Sequence, residues 1–308
     1  MASLLLNIVA CGRLSGDDYG TDALPTEEQL KINMPVASDA AKSPEDLDDW
    51  AMFYESTRNV TEHVNGMIAF VLGSVYLITH TQKPSWVDDD KTEAIWGPYA
   101  DSGLDPVETG VRVKKNDDGT TSWYVFQVPN GGTVEEDAVN IAEGLVDAGS
   151  TRTDASGSFS VDFSAANALD PAVNLVGSWS VDYTYDSAGV AAVATAADYG
   201  YENFDTLDAE YAYDEDYEGQ GNMDLGYERD LNWSGTDEWV TLRSRWQADG
   251  MGRGDATFGE GDLATEVTAS ECWGTDFKTS FWTDSAGIYG TAGEETACAF
   301  AEAEFVAE

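Results

Sequence analysis

The residues with the greatest capacity for chemistry in this sequence are its carboxylates. Asp214, Asp216 and Glu218 stand close together at a predicted turn. Hard oxygen ligands of this kind suit calcium, so these three residues are the candidate metal site, and no other cofactor is predicted. Their spacing differs from that of the helix-loop-helix calcium loop, and a solvated acidic turn is the competing interpretation.

No catalytic residues are predicted from the sequence. It contains neither the G-x-S-x-G serine elbow nor the H-E-x-x-H zinc motif. Its only histidines, His63 and His80, both lie in the predicted helical part. A non-enzymatic role is therefore favoured. The alternative is a secreted, glycosidase-like hydrolase, because the abundant acidic residues supply the paired carboxylates that such chemistry requires.

The charge of the chain restricts its partners. The sequence has 58 acidic and 15 basic residues, for a formal net charge of −43. Such a surface repels nucleic acid and anionic headgroups, so nucleic-acid binding is excluded. Scarce lysine and abundant aspartate suit a medium of high ionic strength, where charge repulsion is screened over a few ångströms.

The N-terminal sequence contains a possible address for export. Ile8-Val9-Ala10-Cys11 resembles the lipobox of secreted bacterial lipoproteins. The resemblance implies cleavage before Cys11, lipidation of that cysteine, and anchoring in a membrane. Because Gly12 stands where inner-membrane lipoproteins have Asp, it also implies an outer-membrane lipoprotein that faces the periplasm or the cell surface. An ordinary first strand or helix is the alternative, because the signal-like residues 1–10 include no Lys or Arg. The same lack leaves open whether Met1 is the natural start of the chain.

The remaining cysteines predict a disulfide. With Cys11 lipidated, Cys272 and Cys298 are left, and an even remainder in an exported protein favours a bridge. Free thiols are the alternative. A zinc site is disfavoured, because the chain has no C-x-x-C spacing and only two histidines.

The composition then changes along the chain. Residues 11–44 are polar and acidic and predict a flexible tether, followed by a single α+β domain over residues 45–308. Apolar residues recur at spacings of three and four over residues 45–80, which predicts one helix or two packed helices. The second half of this segment is apolar nearly all round, so it needs cover on several sides.

From residue 94 to residue 308 the period is mainly two, which predicts antiparallel strands. The clearest signal is a repeated heptapeptide, Gly157–Phe163 (GSFSVDF) and Gly177–Tyr183 (GSWSVDY). The two copies predict neighbouring strands of a meander in similar environments. Strands are also predicted over Val107–Lys115, Thr121–Val128 and Val267–Trp273.

Together these patterns predict an α+β fold. It comprises a curved antiparallel meander of eight or more strands, as a half-barrel or open barrel, with the helical segment on its concave face. In architecture alone it is similar to the periplasmic half-barrel lipoprotein carriers. Gly252–Trp282 resembles a segment of uncharacterised acidic bacterial lipoproteins, which implies no particular activity.

The sequence thus predicts an exported, lipid-anchored envelope protein with a binding or structural role. Its partners would be the membrane, through the lipid anchor, and an envelope protein or an apolar ligand held between the sheet and the helix.

Overall fold

A computed structural model of the chain describes residues 19–36, 50–100, 105–231 and 234–303. The predicted lipobox and residues 1–10 lie outside the described residues. The helices are α1 (Glu27–Leu30), α2 (Met52–Thr81), α3 (Val134–Asp137) and α4 (Phe163–Leu169). The strands are β1 (Trp86–Val87), β2 (Glu93–Tyr99), β3 (Val107–Lys115), β4 (Thr121–Pro129), β5 (Val139–Val146), β6 (Ala155–Asp162), β7 (Leu175–Tyr185), β8 (Gly189–Tyr201), β9 (Leu207–Asp216), β10 (Gly221–Arg229), β11 (Glu238–Trp246), β12 (Gly252–Gly259), β13 (Val267–Trp273), β14 (Thr279–Asp284) and β15 (Ala292–Gly293).

The fifteen strands form one antiparallel sheet in sequence order, β1 to β15. Each strand neighbours the next along the chain, so the sheet is a meander, and it is not closed. The predicted α+β class with a curved antiparallel meander and a long N-terminal helix is confirmed.

The chain divides into two compact units, while the single domain over residues 45–308 stays a prediction. The first unit contains residues up to 30, residues 67–187 and residues 194–206, and the second contains residues 31–66, 188–193 and 207–308.

In the second unit, the first turns of α2 contact the sheet directly. The backbone N–H of Phe53 donates to the carboxylate of Glu271 on β13 at 2.6 Å, and the Phe53 ring packs on Trp282, with centroids 5.4 Å apart. One turn further along the helix, the hydroxyl of Thr57 bonds that of Ser244 at 2.5 Å. These contacts fix which face of α2 turns towards the sheet.

The remainder of α2 belongs to the first unit. Its buried face consists of Ile68, Val71, Leu72 and Val75, at the three- and four-residue spacing read from the sequence. By length and composition, α2 is the one helix in the described parts of the chain that is long and apolar enough to cross a membrane, a test that a buried core helix also passes.

Residues 19–36 do not behave as the predicted flexible tether. Leu24, Leu30, Ile32 and Met34 are all buried. The side chain of Asn65 on α2 accepts a hydrogen bond from the N–H of Ile32 at 2.8 Å and donates to its carbonyl at 2.9 Å. This segment therefore supplies part of the cover that an apolar helix needs, and its sparse apolar residues lacked a period that could predict it.

The repeated heptapeptides form adjacent strands, as predicted. β6 and β7 pair antiparallel, so the glycine of one copy faces the aromatic residue of the other: Gly157 lies opposite Tyr183. A Cβ on Gly157 would come within 2.7 Å of the Tyr183 hydroxyl oxygen. The glycine thus leaves the space that the ring occupies.

The same pairing recurs in other parts of the sheet. Gly144 faces Trp123, and Gly221 faces Trp246. A Cβ on Gly144 would lie 2.2 Å from the Trp123 ring, and both tryptophans are completely buried. Large rings lying across glycines allow a close-packed sheet face without voids.

Strand β8 is not predicted by the sequence pattern. Its alternation is carried by small residues, with Val190, Ala192, Ala194 and Ala196 buried on one face. Alanine has a low preference for strands, so its neighbours in the sheet decide its conformation.

Candidate functional site

The candidate binding site is a groove on the outer face of β4–β7. The opposite face of these strands is buried in the core of the first unit. The volume of the groove is about 400 Å³. Alternation along each strand places the buried rings on one face and polar side chains on the other. We call this feature the outer groove; its principal lining residues are Tyr124, Glu143, Ser158, Ser160, Ser180 and Asp182.

Strand register brings these residues together from distant parts of the sequence. Tyr124 lies opposite Glu143, and Glu143 lies opposite Ser160. In the neighbouring row, Ser158 lies opposite Asp182. The two serines on β6 form a low floor because they are small. The larger side chains of β4, β5 and β7 rise on either side.

An arginine side chain lies beside the aromatic residue of the groove. The Arg112 guanidinium lies 5.9 Å from the centroid of the Tyr124 ring and also bonds Glu93 at 2.5 Å. Tyr124 lines the groove, so this ring offers an aromatic surface to a ligand.

The groove is negatively charged and open to water. Glu143 and Asp182 are both exposed. Exposed carboxylates accept hydrogen bonds from hydroxyl and amino groups, whereas a glycosidase acid needs a pKa raised by burial. The arrangement is suited to holding a polar ligand.

The buried carboxylates of the second unit have structural partners. Glu271 accepts from the Phe53 N–H and from the Thr279 hydroxyl, each at 2.6 Å. Burial raises the pKa of Glu271, and these two hydrogen bonds oppose the shift. Glu215 accepts from the Tyr213 hydroxyl and the Asn33 backbone, which ties the N-terminal segment to β9.

A second polar cluster lies on β12, where the sequence reads Arg253-Gly254-Asp255. The tripeptide is part of a strand, and both charged side chains are only 1% exposed. Asp255 accepts from Arg253 at 2.8 Å, Arg245 at 2.7 Å and Ser270 at 2.7 Å. The tripeptide is not displayed to a partner.

Residues 292–303, which we call the C-terminal strap, cover this cluster. Arg253 bonds Glu295 at 3.0 Å, and Arg245 bonds the carbonyl of Ala301 at 2.7 Å. The N–H of Ala303 donates to Asp255 at 3.0 Å. The buried charges therefore find their last partners in the strap.

The predicted disulfide between Cys272 and Cys298 is confirmed, with Cα atoms 5.5 Å apart. Cys272 is completely buried on β13, directly opposite Arg253 on β12. The bond joins the strap to the sheet beside the charged cluster.

The candidate calcium ligands are not brought together as a metal site. Within the described ranges, no group of three or more His, Cys, Asp or Glu side chains could hold a metal ion. Asp216 instead accepts from the N–H groups of Glu218 and Gln220, at 2.9 and 3.0 Å, and so closes the turn between β9 and β10. Asp214 is exposed on β9.

Both histidines, His63 and His80, lie on α2. His80 stacks on Tyr76 with ring centroids 4.0 Å apart, and burial lowers the pKa of His80 more than its hydrogen bond to the Tyr76 carbonyl raises it. Burial also lowers the pKa of His63. Cys11, the predicted lipidation site, lies outside the described residues.

Comparison of the chain with protein-family models, curated proteins and solved structures finds no match. The functional argument therefore depends on the disulfide, the charge distribution and the outer groove.

Proposed function

We propose that this protein is an exported, non-enzymatic component of a bacterial cell envelope, anchored in the outer membrane by lipid on Cys11, with a binding or structural role. The lipobox Ile8–Cys11 supports the anchor. The acidic surface supports a location where proteins rather than nucleic acids are partners.

The observation that carries the proposal is the disulfide between Cys272 and Cys298. Cys272 has no exposed surface and its partner is Cys298. Bonds of this type persist in secreted and periplasmic proteins and are rare in the reducing cytosol. Cys272 lies in the core of the sheet and Cys298 in the C-terminal strap, so the bond is part of the folded structure, which favours folding in an oxidising compartment after export.

The placement of the carboxylates supports binding over hydrolysis. Glu271 and Asp255, which are buried, are occupied by backbone and side-chain donors. Glu143 and Asp182, which line the outer groove, are exposed. Neither pair offers a buried acid facing a second carboxylate across a cleft, the arrangement that a glycosidase-like hydrolase uses.

Metabolic labelling tests the anchor. Full-length protein expressed in a bacterial host with an alkyne-tagged fatty acid should carry the label, and the Cys11→Ser variant should lose it. Cys272→Ser is the matched control, because it removes a cysteine without touching the lipobox. Labelling that persists in Cys11→Ser, or is absent from the unsubstituted protein, contradicts the proposal.

A further inference from the structure

We propose that the outer groove binds a neutral saccharide. The proposal deepens the binding role and rests on it, but it does not depend on the anchor at Cys11. Four features of β4–β7 carry it: the volume of the groove, one half-buried aromatic ring, unused hydroxyl and carboxylate groups, and the sign of the charge.

The size of the groove suits a short carbohydrate segment. A volume of about 400 Å³ lies within the range of about 300–1,000 Å³ that small-molecule sites occupy. The groove is open, so a chain could continue beyond it at either end. Its length runs across the four strands, along the row of Tyr124, Glu143 and Ser160 and the neighbouring row of Ser158 and Asp182.

The apolar contact comes from Tyr124 and Leu145, which both line the groove. A sugar ring has an apolar face of C–H groups that packs on an aromatic ring. The guanidinium of Arg112 lies 5.9 Å from the centroid of the Tyr124 ring, a contact that favours the ring position seen in the structure.

The polar contacts are available without rearrangement. Among the residues that the structure describes, the side chains of Glu143, Ser158, Ser160 and Asp182 have no hydrogen-bond partner in the protein. Serine hydroxyls donate and accept, and carboxylates accept. A polyhydroxylated ligand can satisfy all of these groups at once, whereas an apolar ligand would desolvate them at a cost.

The charge selects a ligand without negative groups. Two carboxylates line the groove, and the whole chain carries a formal net charge of −43. Phosphorylated or carboxylated sugars would be repelled. Neutral sugars meet no such barrier, and a small organic cation is the alternative occupant that the experiment distinguishes.

Isothermal titration of the full chain with maltohexaose, cellohexaose and chitohexaose tests the proposal. We expect binding by at least one of the three. We also expect Tyr124→Ala to weaken it about tenfold, the loss of roughly 1.4 kcal/mol of stacking. Ser160→Val should weaken binding because it removes a hydroxyl group, although valine has the higher preference for strands. Thr184→Val, on the same face but outside the groove, is the control and should leave the affinity unchanged.

Glu143→Gln separates a sugar from a cation. The amide retains the size and an acceptor oxygen, so saccharide affinity should change less than tenfold, and titration with spermidine should give no saturable binding. Absence of binding by all three hexasaccharides at millimolar concentration overturns the proposal, as does saccharide affinity that Tyr124→Ala leaves unchanged. Saturable spermidine binding that Glu143→Gln abolishes also overturns it. None of these outcomes alters lipid labelling of Cys11, so failure here is distinct from failure of the anchor.

Discussion

At the scale of single residues, the buried carboxylates of the second unit mark the places where peripheral segments join the sheet. Each accepts a hydrogen bond from a backbone N–H of such a segment: Glu271 from the start of α2, Glu215 from the N-terminal segment and Asp255 from the C-terminal strap. Burial of a charge is costly unless every lone pair finds a donor. These carboxylates therefore specify where each segment attaches more than they add net stability.

Glu271 gives a pH-dependent prediction. Its pKa is raised above the usual 4.5 because of burial, so the folded state binds this proton more tightly than the unfolded state. The contribution to stability is fully present below about pH 4.5 and is lost as the pH rises through the raised pKa. Glu271→Gln, which has no such proton, should gain stability relative to the unsubstituted protein as the pH increases. Urea unfolding of both proteins from pH 4 to 8 measures this; a difference that stays constant or falls contradicts the assignment.

Asp255 gives a prediction of magnitude. Asp255→Asn leaves Arg253, which is 1% exposed, without a buried counter-charge, and removal of one partner of a buried pair costs about 3–5 kcal/mol. Asp224→Asn is the matched control, because the pair of Asp224 and Arg243 is partly exposed and such pairs contribute about 1 kcal/mol or less. Equal free energies of unfolding for the two variants would show that the Asp255 cluster is not a buried ion pair.

At the scale of elements, glycines opposite aromatic rings explain how the sheet packs. Gly144→Ala should destabilise the protein by about 1–3 kcal/mol, because the added methyl group overlaps the ring of Trp123 and overpacking a core costs this much. Gly66→Ala on α2 is the control. A Cβ there meets nothing within 4 Å, and alanine is favoured over glycine in a helix by about 0.5–1 kcal/mol. The two variants should therefore shift thermal unfolding in opposite directions, and shifts in the same direction contradict the packing argument.

The elements also show which features sequence patterns can predict. β3 and β13 have the bounds read from the sequence, Val107–Lys115 and Val267–Trp273. In β3, the buried valines Val107, Val111 and Val113 mark one face. β8 could not be predicted because its buried residues are small. The outer groove could not be predicted because its residues come from four strands, and only their register places Tyr124 beside Glu143 and Ser158 beside Asp182.

At the scale of the whole molecule, the packed N-terminal segment limits the distance between the proposed lipid anchor on Cys11 and the first unit. The Tyr19 ring packs edge-on against Trp96 with centroids 5.9 Å apart, so Tyr19 is attached to the first unit. Eight residue steps separate Cys11 from Tyr19, which span about 28 Å at most. An anchor on Cys11 would hold the first unit close to the membrane surface.

Proteolysis measures whether the segment is packed. Lys31 is half-buried between the buried residues Leu30 and Ile32, so trypsin should cleave after it slowly. Asn65→Ala removes both hydrogen bonds to Ile32. The loss of about 1–3 kcal/mol should increase the cleavage rate about fivefold or more. Asn59→Ala, exposed on the same helix, should leave the rate unchanged, and rapid cleavage in the unsubstituted protein would indicate a free tether.

The most direct test of the account is the intact mass of the protein recovered from the membrane fraction of a bacterial host, before and after reduction. We predict a chain that begins at Cys11 and carries lipid, and whose mass increases by two hydrogens on reduction because Cys272 and Cys298 are bonded. A chain that begins at Met1, carries no lipid and has an unchanged mass on reduction would contradict both the export and the anchoring of this protein.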